Sequence, residues 1–495
     1  MIPMTLGELA SVTGAGLVGG PDGTVVDATV TTDSRECVPG SLYVARRGEH
    51  ADGHDFAPAA AAAGAVAVLG ERPVEGVPTL VVADVQTAFG RVARAVVDRA
   101  PDLTIVGVTG SSGKTTVKDL LAAVLSTSAP TVAPVNSLNG EIGVPLTVCR
   151  VEPGTRYLVA EMGARGIGHL DYLTTIAPPA VAVVLNVGLA HVGEFGSVDN
   201  IALAKSELPR AVPPDGVAVL NRDDPAVTAM ADGLECRVVF VGQHEEADLR
   251  AVDVTLDSRG RAAYTLVRRG VADVPVTLAQ PGRHQVGNSL AVLAVALEVG
   301  LPLEQALETL ATAGPASRWR MEITDRADGA TVVNDAYNAN PDSTRAALQA
   351  LADMSVSGRR VAVLGGMLEL GAASEQQHLR TGRVAAELGV DVLLGVGDLA
   401  RAVVSGFEEA GHGAAHWVGD TDAAYDWLEA TLRPGDVVLL KSSRDAGLRW
   451  LGDRLAGVGP EADPAPSLRH NEAAANVEEE LGTPGPPSDE RNSSA

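Results

Sequence analysis

The stretch "DLTIVGVTGSSGKTTVKDLL", residues 102–121, decides the fold of the middle of this chain. An apolar run from Leu103 to Val108 ends in a Gly/Ser turn, and Lys114, Thr115 and Thr116 open an amphipathic helix. Strand, glycine-rich turn and helix in this order read as a phosphate cradle. Gly110 and Gly113, with Ser111 and Ser112 between them, let backbone N–H groups face an anion without a Cβ in the way. The helix brings its positive N-terminal end to the same place. Lys114 can reach the outer phosphates of a nucleotide, and the Thr115 hydroxyl is placed to ligate Mg²⁺. The loop departs from the common template, which wants Gly five residues before the Gly of Gly-Lys-Thr. Val108 holds that position and the glycine is Gly110, giving Thr-Gly-x-x-Gly-Lys-Thr-Thr.

The pattern around the loop is α/β. Apolar strands ("RYLVAEM", "AVAVVLNV", "GVAVLN") alternate with helical segments ("SVDNIALAKSELPRAV", "NSLAVLAVALEVG"). That alternation predicts a central ATPase domain of the phosphate-loop type, residues 101–314, with a mostly parallel sheet covered by helices on both faces. Residues 1–100 hold short apolar runs, Gly/Pro turns and the Ala-rich "FAPAAAAAGA", and predict a small α/β domain. Near "AGPASRWRME" the pattern restarts, and "ATVVNDAY", "RRVAVLGGM", "VDVLLGVGD" and "GDVVLLKSS" predict a Rossmann-like C-terminal domain over 315–457. Residues 458–495 are rich in Pro, Glu, Ala and Ser and read as a disordered acidic tail.

Composition narrows the partners. The 495 residues carry 63 acidic and 38 basic side chains, a formal charge of −25. That argues against nucleic acid and gives no general attraction to anionic membranes. No apolar run reaches the roughly 18 residues that span a bilayer, and "MIPMTLGELASVTG" has no signal-peptide pattern, so a cytoplasmic protein is expected. Cys37, Cys149 and Cys236 make neither a disulfide framework nor a zinc pattern. Lysine occurs only at 114, 118, 205 and 441, all other basic residues being arginine. A chain that otherwise writes Arg can keep Lys where a guanidinium cannot do the work. Lys114, Lys205 and Lys441 are taken as functional candidates, and Lys118 as a chance survivor on the helix.

Further candidates follow the strands. Glu161 ends an apolar strand in "YLVAEMGARG", where an open parallel sheet places its ligands, and a carboxylate there suits Mg²⁺. His191 follows the strand of "VAVVLNVGLAHVGEF", and Lys205 lies on the next helix, whose apolar face is marked by Val198, Ile201, Ala202 and Leu208. Each of these alone is as well read as a solvated or structural side chain.

"TGSSGKTT", "EMGA", "NVGLAHVGEFGS", "AKSEL", "GRHQVGNSLAVLA", "RWRME", "NDAYNANPDSTRAAL", "LGGMLELG" and "KSSR" occur in this order. The chain resembles the Mur ligases of peptidoglycan synthesis over about residues 25–455. "YNANPDS" and "MLELG" resemble the member that adds a dipeptide, rather than those adding single amino acids. The resemblance implies ATP- and Mg²⁺-dependent joining of D-alanyl-D-alanine to UDP-N-acetylmuramoyl-tripeptide through an acyl phosphate, by a monomer. It implies a nucleotide loop over Gly110 to Thr116 and metal ligands at Thr115, Glu161 and His191. It makes Lys205 the lysine carried as a carbamate. It places Asn288 at the adenine, Arg320 near the phosphates, Asp335 near the ribose, and Tyr337 and Asn338 at the nucleotide. It assigns Asp33, Ser34 and Arg35 to the UDP part of the substrate, and Asn139 and Lys441 to substrate binding. Read from the residues alone, Asp33 to Arg35 is equally a capped turn with a surface arginine.

Four positions depart from the family pattern: Ser137 and Gly140 stand where Asn is frequent, Gly366 where Asp is usual, and Ser442 where Gly is usual. The expectation is that these changes touch peptide-binding positions more than the nucleotide site. The rival readings are a sister ligase adding a diamino acid or glutamate, a folyl-polyglutamate synthase, and an ATP-binding regulator without ligase activity.

Overall fold

The computed structural model of the chain describes residues 1–48, 51–189 and 192–459. His191 and nearly all of the acidic tail lie outside the described residues. The chain divides into two compact units, one built on Pro3–Phe89 and one on the chain from Gly90 onward.

The first unit holds a five-stranded sheet in the order Gly16–Val18, Thr79–Val81, Ala65–Gly70, Ser41–Val44 and Val30–Thr31. Its last four strands run parallel, and Gly16–Val18 pairs antiparallel at the edge. The Ala-rich segment forms the helix Ala57–Ala63, with Pro58 in its first turn and a left-handed Gly64 after it. Pro fits a first turn because its missing N–H would be unpaired there anyway.

The second unit carries two sheets. The larger has nine strands in the order Val274–Pro281, Arg261–Arg268, Leu249–Leu256, Arg237–Gly242, Val217–Asn221, Val181–Val184, Thr104–Thr109, Tyr157–Glu161 and Thr131–Val132. The seven from Leu249–Leu256 onward are parallel, and the first two extend them antiparallel. Strand Thr104–Thr109 lies between Tyr157–Glu161 and Val181–Val184, and successive strands are laid down on opposite sides of it. The loop after it therefore opens into the crevice at a topological switch point, where such sheets bind ligands. With so few aromatics the core is aliphatic. Val106, Val108, Val159 and Val183 of the strands meet Val117, Leu121 and Val124 of helix Lys114–Ser126 and Leu290 and Leu293 of helix Gln285–Glu298.

The smaller sheet has the order Glu322–Asp325, Thr331–Asn334, Val437–Lys441, Arg360–Leu364, Val392–Val396 and Ala414–Val418. Only its edge strand Glu322–Asp325 is antiparallel. Among the described residues no helix is long and apolar enough to cross a membrane.

Candidate active site

The phosphate loop is built by its backbone and buttressed by the neighbouring strand. Gly113, at φ 82°, caps helix Lys114–Ser126 in a conformation that suits glycine. A Cβ there would come within 2.7 Å of Asn288 Oδ1, so the loop and helix Gln285–Glu298 close on each other at this point. Asn186, just past strand Val181–Val184, holds the turn twice: the Ser112 N–H donates to its Oδ1 at 2.9 Å and the Ser111 N–H to its carbonyl at 3.1 Å. The Gly188 N–H donates to Ser111 Oγ at 2.8 Å. Asn186 was not singled out in the sequence, although an Asn directly after a buried strand is a polar group at the ligand edge of the sheet. Lys114 folds back to donate to the Gly110 carbonyl at 2.7 Å. Burial holds its ammonium below the ordinary lysine range, against the opposing pull of Glu161. Thr116 follows, half-buried, in the first turn of the helix.

Beneath the loop a polar cluster surrounds one carboxylate. Glu161, the last residue of its strand and 1% exposed, accepts at Oε1 from Ser137 Oγ at 2.7 Å and Asn139 Nδ2 at 2.8 Å. Ser137 Oγ also lies 3.3 Å from Thr115 Oγ1. The other oxygen, Glu161 Oε2, is buried and has no partner among the described residues. An orphaned carboxylate oxygen, in a side chain joined to the Thr115 hydroxyl through Ser137, fits a hard cation, which takes oxygen ligands. Thr115 and Glu161 are the described residues that would hold it. Among the described residues no group of three His, Cys, Asp or Glu side chains forms a metal cluster. Asn139, expected at substrate, spends its amide on Glu161. Ser137 runs against the expectation that the departures touch peptide-binding positions more than the nucleotide site, since it bridges Thr115 and Glu161. Gly140 stands in open space, whereas a Cβ at Gly366 would strike Leu399 at 2.7 Å. Ser442 is fully buried against Gly365, its hydroxyl without a partner among the described residues.

Lys205 sits on helix Val198–Arg210 at helical spacing from Ile201 and Leu208, and all three are buried. It therefore belongs to the apolar face. Its Nζ has no hydrogen-bond partner among the described residues. Burial, and then the charge of Lys114, push its pKa down to about 7.

The smaller sheet brings its residues to the same loop. Arg320 donates to Thr115 Oγ1 at 3.1 Å, and its guanidinium lies 4.2 Å over the Tyr337 ring. Its Nε is buried with no partner among the described residues. Asn340 Nδ2 reaches the Ser111 carbonyl at 3.3 Å, and Asp342 Oδ2 accepts from the Leu189 N–H at 2.6 Å. Asn340 also caps helix Pro341–Asp353. The "YNANPDS" turn is thus fastened to the phosphate loop by its last residues, which sequence reasoning had left without roles. Asp335 accepts from the Met321 N–H at 3.1 Å and from Lys441 Nζ at 2.7 Å. Lys441 also donates to the carbonyls of Asp335 at 3.2 Å and Asn338 at 2.9 Å. Its three N–H groups are thereby engaged in holding this turn, and none is left over for a substrate. Asn288, on the first turn of its helix, donates to Gln285 Oε1 at 2.8 Å.

In the first unit Asp33 caps the short helical turn Ser34–Glu36, accepting from the Arg35 N–H at 2.9 Å. Arg35 folds back onto the same carboxylate with Nε at 2.9 Å and is half exposed. This is the capped turn that the residues alone allow.

The correction of largest consequence concerns Lys118. Taken from the sequence as a chance survivor, it is 2% exposed and pairs with the buried Asp119. Its surroundings are polar groups from distant parts of the chain, which an amphipathic pattern cannot show.

Fold and loop together define a phosphate-binding α/β protein whose second sheet closes on the loop. Family models agree. The Mur ligase middle domain matches residues 108–296, the Mur ligase glutamate ligase domain residues 319–444, and the catalytic domain of the Mur ligase family residues 28–105. The UDP-N-acetylmuramoyl-tripeptide–D-alanyl-D-alanine ligase of Mycobacterium tuberculosis is 46% identical over 501 residues, covering 92% of this chain and 98% of the relative. That of Escherichia coli is 36% identical, covering 90% and 97%. Among solved structures, MurF from Acinetobacter baumannii superposes with a TM-score of 0.83 at 32% identity, covering 92% and 99%. The MurF ligase from Thermotoga maritima in complex with ADP gives 0.77 at 28%, covering 88% and 98%. The chain belongs to the Mur ligase family.

Proposed function

We infer that this protein joins D-alanyl-D-alanine to UDP-N-acetylmuramoyl-tripeptide at the expense of ATP, for peptidoglycan synthesis. The observation that carries this is the convergence of Thr115, Glu161 and Arg320 on one phosphate loop, in a chain that matches dipeptide-adding relatives over nearly their whole length. On this reading the domains divide near residues 100 and 314.

The loop amides, Lys114 and Arg320 hold the triphosphate. The γ-phosphoryl group passes to the peptide carboxylate, ADP leaves, and the dipeptide amine displaces phosphate from the acyl phosphate. Two anions must meet, so positive charge has to be concentrated where they do. Thr115 and Glu161 would hold a Mg²⁺ ion, which would supply that screening, and the family resemblance adds His191, outside the described residues, to the ligands. Ser137 and Asn139 fix the Glu161 carboxylate through Oε1 and leave Oε2 available to a cation. Burial brings the Lys205 pKa down to about 7, so near neutral pH a substantial share of it is the free amine. A free amine adds carbon dioxide, losing one proton, and the resulting carbamate is an anion suited to metal. Asp335, Tyr337 and Asn338 line the ribose side of the nucleotide and Asn288 its adenine side. Asp33, Ser34 and Arg35 take the UDP part of the substrate, and Asn139 serves the site through its bond to Glu161. Lys441 serves substrate binding by holding the Asp335–Asn338 turn.

The test is phosphate release from ATP with UDP-N-acetylmuramoyl-tripeptide, with and without D-alanyl-D-alanine. Release that depends on the dipeptide, and is lost in Lys114→Ala, is expected. Release driven equally by a single amino acid would transfer the assignment to a sister ligase.

A further inference from the structure

We propose that Lys118 and Asp119 are positioning residues for Arg320, clamping the chain that enters the smaller sheet onto the phosphate-loop helix. The proposal rests on the reading above, in which Arg320 meets the nucleotide phosphates.

Lys118 Nζ donates to the carbonyls of Pro134 at 3.1 Å and Asn136 at 3.0 Å, and to Ser317 Oγ at 3.2 Å. It also pairs with Asp119 Oδ1. Asp119 Oδ2 accepts from the Ser317 N–H at 2.9 Å. Ser317 is therefore gripped at its side chain by the lysine and at its backbone by the aspartate. Taking both charges out of water is costly, and full pairing is what makes it tolerable.

Three residues further on, Arg320 reaches Thr115. Thr115, Lys118 and Asp119 stand at i, i+3 and i+4 on one helix and so share a face. Clamp and target are one helical turn apart on a rigid element. The chain between Ser317 and Arg320 is fixed from the other side too. Trp319 Nε1 donates to Asp453 at 3.0 Å, and the Met321 N–H to Asp335. Trp319 and Met321 both adopt left-handed φ, 59° and 53°, which costs energy in residues with a side chain. Arg320 lies between them. The strained turn aims its guanidinium at the loop, and the Lys118–Asp119 clamp sets where that turn begins. The same lysine grips Asn136, the residue before Ser137, so both partners of the Thr115 hydroxyl are referred to one ammonium.

A clamp acting through Arg320 differs from a plain staple in a double-mutant cycle. Ligation rates are measured for the full-length wild type, Lys118→Met, Ser317→Ala, Arg320→Met and the two combinations with Arg320→Met. Lys118→Met is expected to lower kcat by about 10²-fold, as a small misplacement of a reacting group can, with KM for the dipeptide unchanged. In the Arg320→Met background the same change should cost almost nothing more. Losses that multiply, or a kcat unaffected by Lys118→Met, overturn the proposal. Where Lys118→Met does not fold, Ser317→Ala, which removes one hydroxyl, carries the cycle. The affinity of a non-hydrolysable ATP analogue for the same proteins gives a second cycle, independent of ligation. Additive losses of affinity there overturn the clamp, whereas a wild type that binds the analogue but does not ligate refutes only the assigned reaction.

Discussion

Two helices of the second unit each bury a lysine, and they bury it in opposite ways. On helix Lys114–Ser126, Lys118 meets three oxygens and a carboxylate. On helix Val198–Arg210, Lys205 lies on the apolar face with no hydrogen-bond partner among the described residues, and its pKa falls to about 7. A buried cation with a full set of partners ties segments together. One without partners is pushed toward the neutral amine, which is the reactive form. Burial alone therefore does not tell what a lysine does; the difference is in the company it keeps.

The strongest way to break this comparison is Lys205→Arg. The charge is kept, but a guanidinium stays protonated and cannot become a carbamate. Ligation should fall to nearly nothing, and Lys205→Ala should be partly rescued by small carboxylates. A Lys205→Arg enzyme that ligates at the wild-type rate would make Lys205 an ordinary residue.

The next expected effect is on stability, with opposite signs for the two lysines. Lys118→Met leaves Asp119 charged, buried and without its cation, which costs about 3–5 kcal/mol. Denaturant unfolding reads this directly, and an unchanged midpoint would refute the picture of a satisfied buried cation. Lys205→Met removes an ammonium that folding disfavours, so in buffer free of carbon dioxide it should raise Tm. The gain depends on pH. Between about 7 and the free-lysine value of 10.5 the unfolded chain binds a proton that the folded chain does not. Wild-type stability therefore rises with pH across that window. The advantage of Lys205→Met should be full below about pH 7 and shrink toward 10.5. A gain that is constant with pH would mean the amine is not held neutral. The smallest effect is that of Ser317→Ala, about 1 kcal/mol, the size of one hydrogen bond lost among several. A loss as large as that of Lys118→Met would place the whole clamp on the serine hydroxyl.

The phosphate loop was legible because its chemistry is local. Strand, Gly110, Gly113, Lys114 and the helix lie within a dozen residues, and their order alone implies amides aimed at an anion. The partners of the loop were not legible in the same way. Asn186, Ser137, Asn340 and Asp342 are polar residues in turns, and nothing in their own neighbourhoods says that they meet. Arg320 and Asp335 were reached through resemblance, since neither belongs to a local pattern that names its partner. Lys118 was set aside as a chance survivor because nothing in its own stretch of sequence shows which distant groups cover it.

By itself the sequence determined the α/β order of the elements, the phosphate loop and the rarity of lysine, because each depends on neighbours along the chain. Only the tertiary structure decided which lysine is paired and which is left bare. That follows from where strands far apart in sequence return: Ser317 arrives on the phosphate-loop helix 198 residues after Asp119. Lys205, on the face of its helix that carries Ile201 and Leu208, is buried without such partners among the described residues. Solvation, and with it the charge and reactivity of each amine, is a property of what the fold brings alongside.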